Sequence, residues 1–293
     1  MRYIKEIYRA VEYIEINLSK DITIGSTAEY TGYSVYYFSR LFNKITGHSP
    51  YDYIMRRRLS EAAQDLLDSS KRIIDIAYKY QFKNPETFTR AFTKMFCCLP
   101  SSIKGRNSIK NLVLKKPLSL DYLDYINKVE VQISPESIFK EKICLIGFVE
   151  NTGKNSDYIY ENLKSNTEIK ILNPEIRYSL YYYPERYISS SAVFHGYETA
   201  SLEVTPDIYL AKIIPPSKYI KINILTDEYK IDYIFQYLYQ TKLVNEKLTY
   251  VSHAFDITND LHNGISQNTD CEKISNENSS KTRYNRTIYI PIE

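Results

Sequence analysis

Apolar residues recur every three or four positions through roughly the first hundred residues and every second position through much of the rest, so the chain changes secondary-structure regime part-way along. Ile4, Ile7, Tyr8, Val11, Ile14 and Leu18 predict an amphipathic helix over about residues 3–18. Thr23 caps a short second helix holding Ile24 and Ala28, and Gly32 supplies the turn that ends it. Ser34 opens a third helix that closes at Gly47. Ser49-Pro50 pairs an N-cap with proline at the first helical position and starts a long helix to about Asp68. Ile73 to Ala77 form a short helix, and Asn84-Pro85 starts another that runs to about Phe96.

Inside this helical half the chain repeats itself. Phe38-Ser39-Arg40-Leu41-Phe42-Asn43-Lys44 returns fifty positions later as Phe88-Thr89-Arg90-Ala91-Phe92-Thr93-Lys94, with Pro50 and Pro100 at matching distances beyond. The two Phe residues of each copy lie four apart, on one apolar stripe. Arg40, Ser39 and Asn43, or Arg90 and Thr89, fall on the opposite face. Helix, glycine turn, helix is the pattern of a helix-turn-helix unit. Residues 1–106 therefore read as an all-α domain of seven helices: two such units joined by one long helix. A connector of about 18 residues spans about 27 Å at 1.5 Å per residue. Successive major-groove turns of DNA lie about 34 Å apart, so two reading helices on one rigid spacer suit that target.

Beyond residue 128 the period shifts toward two. Val129 to Ile133 and Ile143 to Val149 alternate, and strand-like runs follow at 176–183, 190–198, 208–214, 218–225, 250–258 and 286–291. Helical patterns lie near 156–166 and 228–240. One strand, a helix and two strands occur twice, which predicts an α+β domain of two βαββ halves over 129–293. Residues 107–128 have weak periodicity around Lys115-Lys116-Pro117 and read as a linker. The Asn- and Ser-rich stretch 259–285 reads as an insertion in the last hairpin.

The overall charge of +3 hides an asymmetry: residues 1–110 carry 18 Lys+Arg against 11 Asp+Glu, a net +7, while the remainder carries 20 against 24, a net −4. A basic excess confined to the repeat suits a half that meets phosphates. The four cysteines show no zinc or disulfide spacing, which makes a reducing compartment the expectation. With no signal-peptide pattern and no long apolar run, a cytoplasmic protein without a membrane partner is expected. Thirty tyrosines and no tryptophan indicate biased composition, so single tyrosines weigh little. No nucleophile, metal-ligand or cofactor constellation stands out, and His195 and His253 have no nucleophile or ligand partner at recognisable spacing.

Residues 1–106 resemble the DNA-binding domain of AraC/XylS-type transcription regulators. The resemblance is carried by Gly32-Tyr33-Ser34, Phe38-Ser39-Arg40-Leu41-Phe42, Gly47-His48-Ser49-Pro50, Arg58-Leu59, Phe88-Thr89-Arg90-Ala91-Phe92 and Pro100. It implies base contacts from Tyr36, Ser39, Arg40 and Asn43 in the first recognition helix and from Glu86, Thr87 and Arg90 in the second. It also implies double-stranded DNA as partner. Arg40 and Arg90 suit guanine edges, and Glu86 suits a cytosine amino group. Arg56, Arg57 and Arg58 on the long helix are phosphate candidates by charge, although Arg58 serves equally well as a structural ion-pair partner. Gln81 and Cys97 stand where the family has turn glycines, so the second unit is expected to be the looser.

Residues 129–293 are similar to the gyrase-inhibitor-like effector-binding domain that follows the DNA-binding half in many AraC-type regulators. Phe194-His195-Gly196-Tyr197-Glu198, Pro216-Ser217-Lys218-Tyr219 and Ala254-Phe255-Asp256-Ile257 carry this match. It implies a cleft for a hydrophobic or cationic small molecule, with Asp256 as its carboxylate. Tyr181 and Tyr183 alternate onto one strand face, where they either pack on the sheet or line an aromatic wall attractive to cations. RNA polymerase is a further implied partner. Two alternatives stay open: an architectural or stress-response DNA binder with an empty cleft, and a C-terminal half with hydrolase activity.

Overall fold

Helix caps written into the sequence are made as hydrogen bonds in the computed structural model, which describes residues 2–109, 112–150, 156–182, 193–202, 209–226, 230–245, 253–259 and 284–292. The chain forms two compact units: Met1–Asn127 with Gln240–Lys242, and Lys128–Tyr239 with Leu243–Glu293. Among the described residues, no helix is long and apolar enough to cross a membrane.

The first unit contains α1 (Arg2–Ile16), α2 (Ile24–Thr31), α3 (Val35–Thr46), α4 (Pro50–Asp65), α5 (Ile73–Lys79), α6 (Pro85–Phe96) and α7 (Leu120–Ile126). Thr23, Ser34, Ser49 and Asn84 each accept a backbone N–H of the following turn through the side chain. Such caps contribute about 1 kcal/mol apiece. Up to residue 106 the expected seventh helix is a 3-10 turn at Pro100–Ser102, too short to be an α-helix. The repeated phenylalanines are core. Phe38 and Phe42 have ring centroids 5.5 Å apart, and so do Phe88 and Phe92. All four are fully buried.

The two turns are built alike with different residues. Gly32 ends α2 at φ 73°, with the Tyr33 N–H returning to the Ala28 carbonyl. Gln81 adopts φ 65° after α5, with the Phe82 N–H returning to the Ala77 carbonyl. The Gln81 Nε2 donates to the Ser19 carbonyl at 2.7 Å, an interaction glycine cannot make. The second turn also carries one extra residue, Lys83, before its cap. Gly47 ends α3 at φ 74°, and Cys97 ends α6 at φ 56°. A side chain in that region costs about 1–2 kcal/mol. Cys97→Gly is therefore expected to raise the unfolding free energy by up to about 1 kcal/mol, read from the urea midpoint.

Residues 107–127, read from sequence as a linker, belong to this first unit. Ile109 and Leu112 join the core of α4 to α6. Leu118, Tyr122 and Leu123 are buried, with Ser119 capping α7. Lys115 is 2 % exposed. Its Nζ lies 2.8 Å from His48 Nε2, and His48 Nδ1 lies 3.3 Å from Asp52. Burial, with Arg56 adding repulsion, pushes the Lys115 ammonium down to about 7 from 10.5, despite the opposing pull of Asp52. Burial and the Lys115 charge push His48 down to about 4 from 6.5. The unfolded chain then binds more protons than the folded one between pH 4 and 6.5 through His48 and between 7 and 10.5 through Lys115. Unfolding free energy rises with pH across both windows. Urea unfolding of Lys115→Met, followed from pH 7 upward below the tyrosine range, should lose the upper rise.

The second unit is an antiparallel sheet with strands β1 (Glu130–Lys140), β2 (Ile143–Glu150), β3 (Ile176–Tyr182), β4 (Val193–Glu198), β5 (Leu210–Ile214), β6 (Ser217–Thr226), β7 (His253–Asn259) and β8 (Tyr284–Ile292). Their order is β1-β6-β8-β7-β3-β4-β2-β5. Helix α8 (Ser156–Ser165) follows β2. Helix α9 (Ile231–Tyr237), which follows β6, continues through a π-helical turn at Leu238–Lys242 into α10 (Leu243–Asn245). Strand, helix, strand, strand therefore occurs twice, each time preceded by one more strand. That extra strand crosses over: β1 pairs with β6, and β5 with β2. Only two residues join β1 to β2, or β5 to β6, although these strands stand far apart in the order. The sheet must curl for both connections to be made. Gly147 and Gly196, opposite each other on β2 and β4, permit a close approach, since a Cβ on either would strike the neighbouring backbone.

Candidate nucleic-acid interface

A recognition surface needs cations that the protein leaves unneutralised, and pairing sorts the basic residues of the first unit. Arg56 bonds Asp52 through Nε at 2.8 and 3.0 Å. Arg57 is buried, forks onto Glu15 and Glu61, and donates to the Lys115 carbonyl at 2.6 Å. Arg58 is buried and donates to the carbonyls of Leu18 and Lys20. Lys71 and Lys79 both bind Asp65, and Arg72 binds Asp75. Arg57 and Arg58, candidates by charge for phosphate contact, are thus structural. Arg56 is engaged as well.

The repeated helices differ. Arg40, Lys44, Arg90 and Lys94 are exposed, and among the described residues none has an ion-pair partner. On α3, burial of Phe38, Phe42 and Ile45 turns Tyr36, Arg40 and Asn43 to solvent, with Ser39 half-buried. Tyr36 is 71 % exposed, unusual for a large ring. Its hydroxyl accepts from Arg40 Nη1 at 3.1 Å, and the guanidinium carbon lies 5.6 Å from its ring centre. The pair leaves most of the guanidinium fork free while narrowing its range of positions.

On α6, Glu86 and Arg90 are exposed and Thr87 is half-buried, its N–H donating to the Asn84 cap at 2.8 Å. A shallow depression runs along this face, lined by Pro85, Glu86, Thr89, Arg90, Thr93 and Lys94. Thr93 and Lys94 were not singled out as contacts from sequence. The signal was available, because they stand at the positions of Asn43 and Lys44 in the first copy.

Among the residues expected to line a ligand cleft in the second unit, Tyr183 lies outside the described residues. Tyr181 packs edge-on against Phe235 of α9 with ring centres 4.8 Å apart, so it is a packing residue and not an open aromatic wall. Asp256 pairs in register with Ser179 on β3 and Ile288 on β8. The aromatic assembly uses the neighbouring positions instead. Phe255 stacks on Tyr289 at 5.1 Å and meets Tyr219 edge-on at 5.3 Å, with Tyr178 at 6.3 Å. The Tyr178 hydroxyl donates to Glu198 at 2.7 Å; burial and this bond push its phenol well above the usual range. Lys140 Nζ lies 4.2 Å from the Tyr289 ring centre. Tyr178 and Tyr181 sit on opposite faces of β3.

A family model described as a helix-turn-helix domain matches residues 27–106. The chain is 41 % identical over 100 residues to the transposon Tn10 TetD protein of Escherichia coli, covering 34 % of this chain and 72 % of that protein. It is 34 % identical over 108 residues to the transcriptional regulator Rob of Salmonella typhimurium, covering 37 % of each. Among solved structures, a Chromobacterium violaceum transcriptional regulator with an AraC-type DNA-binding domain is 26 % identical over 36 % of this chain and 94 % of that one, with a TM-score of 0.34. The motifs in the repeat, the family model and the TetD relative agree: the chain belongs to the AraC family of helix-turn-helix DNA-binding transcription regulators.

Proposed function

We propose that this regulator reads one DNA site with both α3 and α6, each entering a major-groove segment. Arg40 and Arg90 bind base edges, while Tyr36, Ser39, Asn43, Glu86 and Thr87 set preference around them. The observation that carries this reading is the sorting of cations: the long helix ties its arginines to acidic side chains and backbone carbonyls, and the repeated helices leave theirs exposed and, among the described residues, without an ion-pair partner. Lys44 and Lys94 supply phosphate contacts at the ends of the same helices. Sequencing the DNA fragments retained by the purified protein defines the site, and footprinting then tests the geometry. Protection of two adjacent major-groove segments supports it, and protection of a single segment removes the two-helix version.

The second unit is read as the sensor that modulates this binding, in keeping with its resemblance to gyrase-inhibitor-like domains. Its occupant is a hydrophobic or cationic small molecule, taken between aromatic rings with a carboxylate nearby. Glu198, held by Tyr178, joins Asp256 as a candidate for that carboxylate. Thermal-shift screening of the full chain against cationic and neutral amphiphiles tests the reading. A cationic hit unaffected by either Glu198→Gln or Asp256→Asn excludes both carboxylates from the site. RNA polymerase contact and a cytoplasmic location belong to the same reading.

A further inference from the structure

The turn that ends α6 carries a chemical group its counterpart lacks. Where α3 stops on Gly47, α6 stops on Cys97, and the next residue is a second cysteine, Cys98. Both are free thiols: Cys97 is exposed and Cys98 partly so. Cys97 holds the left-handed cap at φ 56°, with its N–H returning to the Thr93 carbonyl at 2.9 Å. Cys98 packs against the core cluster that contains Phe88, Phe92 and Phe96. One thiol therefore belongs to a solvent-facing residue in a strained turn, and the adjacent one leans on the core that seats α6.

We infer that Cys97 and Cys98 form a binding site for a trivalent, thiol-seeking arsenical, and that closing this site undoes the turn holding the second recognition helix. Adjacent thiols present a very high effective concentration to each other, so a ligand bound by one sulfur is captured by the second. The class follows from the donor count. Zinc wants four protein ligands or three with a water, whereas no group of three His, Cys, Asp or Glu side chains suits a metal among the described residues. An organoarsenic oxide needs only two sulfurs, because its own carbon fills the third position, and soft sulfur is the donor it prefers. The balance is simple: two S–H bonds and the arsenic–oxygen bond break, two arsenic–sulfur bonds form, and oxygen leaves as water with both thiol protons. Arsenic stays trivalent, so no oxidant is required.

Coupling follows from the two environments. Both sulfurs must turn to one arsenic, so either the Cys97 backbone leaves its left-handed cap or Cys98 leaves the core. Each change releases the last turn of α6, while α3, closed by Gly47, has no such handle. The second reading helix becomes the chemically addressable one.

Phenylarsine oxide is the probe, used on the full chain. Cys144 lies in β2 and Cys271 outside the described residues, so a Cys144→Ser/Cys271→Ser double variant serves as background. The expected result is one adduct by intact mass, with loss of one water, that survives a monothiol wash and is stripped by a dithiol. The adduct should lower the melting temperature. Cys97→Gly and Cys98→Ser, each folded by circular dichroism, should lose the monothiol-resistant adduct, and Cys97→Gly should melt higher than the background because glycine suits the turn. A monothiol-resistant adduct persisting in either single variant would overturn the site. An adduct that leaves the melting temperature unchanged would overturn the coupling. The DNA arm alone rests on the proposed role of α6: the adduct should weaken binding to the selected site by roughly tenfold. If melting shifts but DNA binding does not, the role of α6 in recognition is at fault and the dithiol site stands.

Discussion

Arg40→Ala is expected to weaken binding to the selected DNA site by about 1–3 kcal/mol and to relax base preference where the guanidinium docks. The equivalent change at Arg90 is expected to cost less. Arg40 is already constrained by the Tyr36 hydroxyl and ring, on a helix whose two flanking turns are both closed by glycine. Arg90 stands on a helix that begins after a longer turn through Gln81 and ends on a left-handed cysteine. Glu86 lies on the same face, where its charge opposes phosphate and tunes approach to a base. Titrations of both variants against one site, at two salt concentrations, rank the helices. An equal or larger loss at Arg90 would reverse the ranking. Unchanged affinity and salt slope for both would remove the pair from the interface.

Arg57→Ala should instead cost about 3–5 kcal/mol of folding stability and leave the salt slope of DNA binding intact in the protein that remains folded. Its side chain is 5 % exposed and ties three segments together: Glu15 near the end of α1, Glu61 on its own helix, and the Lys115 carbonyl of the chain leading to α7. Removing the guanidinium leaves Glu15 facing the Tyr53 hydroxyl alone. Lysine cannot restore the fork, so Arg57→Lys should recover only part of the loss. Urea unfolding gives the first quantity and a log–log salt titration the second. A shallower slope with wild-type stability would make Arg57 a phosphate contact after all.

Local signals made the helical half readable from sequence. Four capping side chains, two left-handed turns and a fifty-residue repeat of Phe spacing each specify geometry within a few residues, and the structure uses them where they stand. Gln81 and Cys97 were legible as departures because their partners in the repeat region are glycines. The paired arginines were not legible: whether Arg57 faces DNA or Glu15 depends on a helix some forty residues away. The segment 107–128, which reads as a linker, lies up to Asn127 in the first unit for a related reason. Ile109, Leu112 and Leu114 pack on the core of α4 to α6, and Lys115, polar in sequence, is itself buried. In the second unit, alternation found the strands but could not choose the inner face. Tyrosines occupy both parities of β3, and only the pairing with β7 and the packing of α9 separate Tyr178 from Tyr181.

The strand crossover in the second unit has a kinetic consequence. β8, the last strand in chain order, sits between β6 and β7, so the row from β1 and β6 cannot join the row from β7, β3, β4, β2 and β5 until Ile292 has been added. Every pairing that links these rows spans distant sequence, and such contacts pay loop-closure entropy before they return any stability. The helices of Met1–Asn127 pack on near neighbours in sequence and have no such wait; of the first unit, Gln240–Lys242 alone arrives late. During synthesis the helices of Met1–Asn127, which carry both repeated helices, can therefore stand folded while the second unit is still two incomplete rows with open edges.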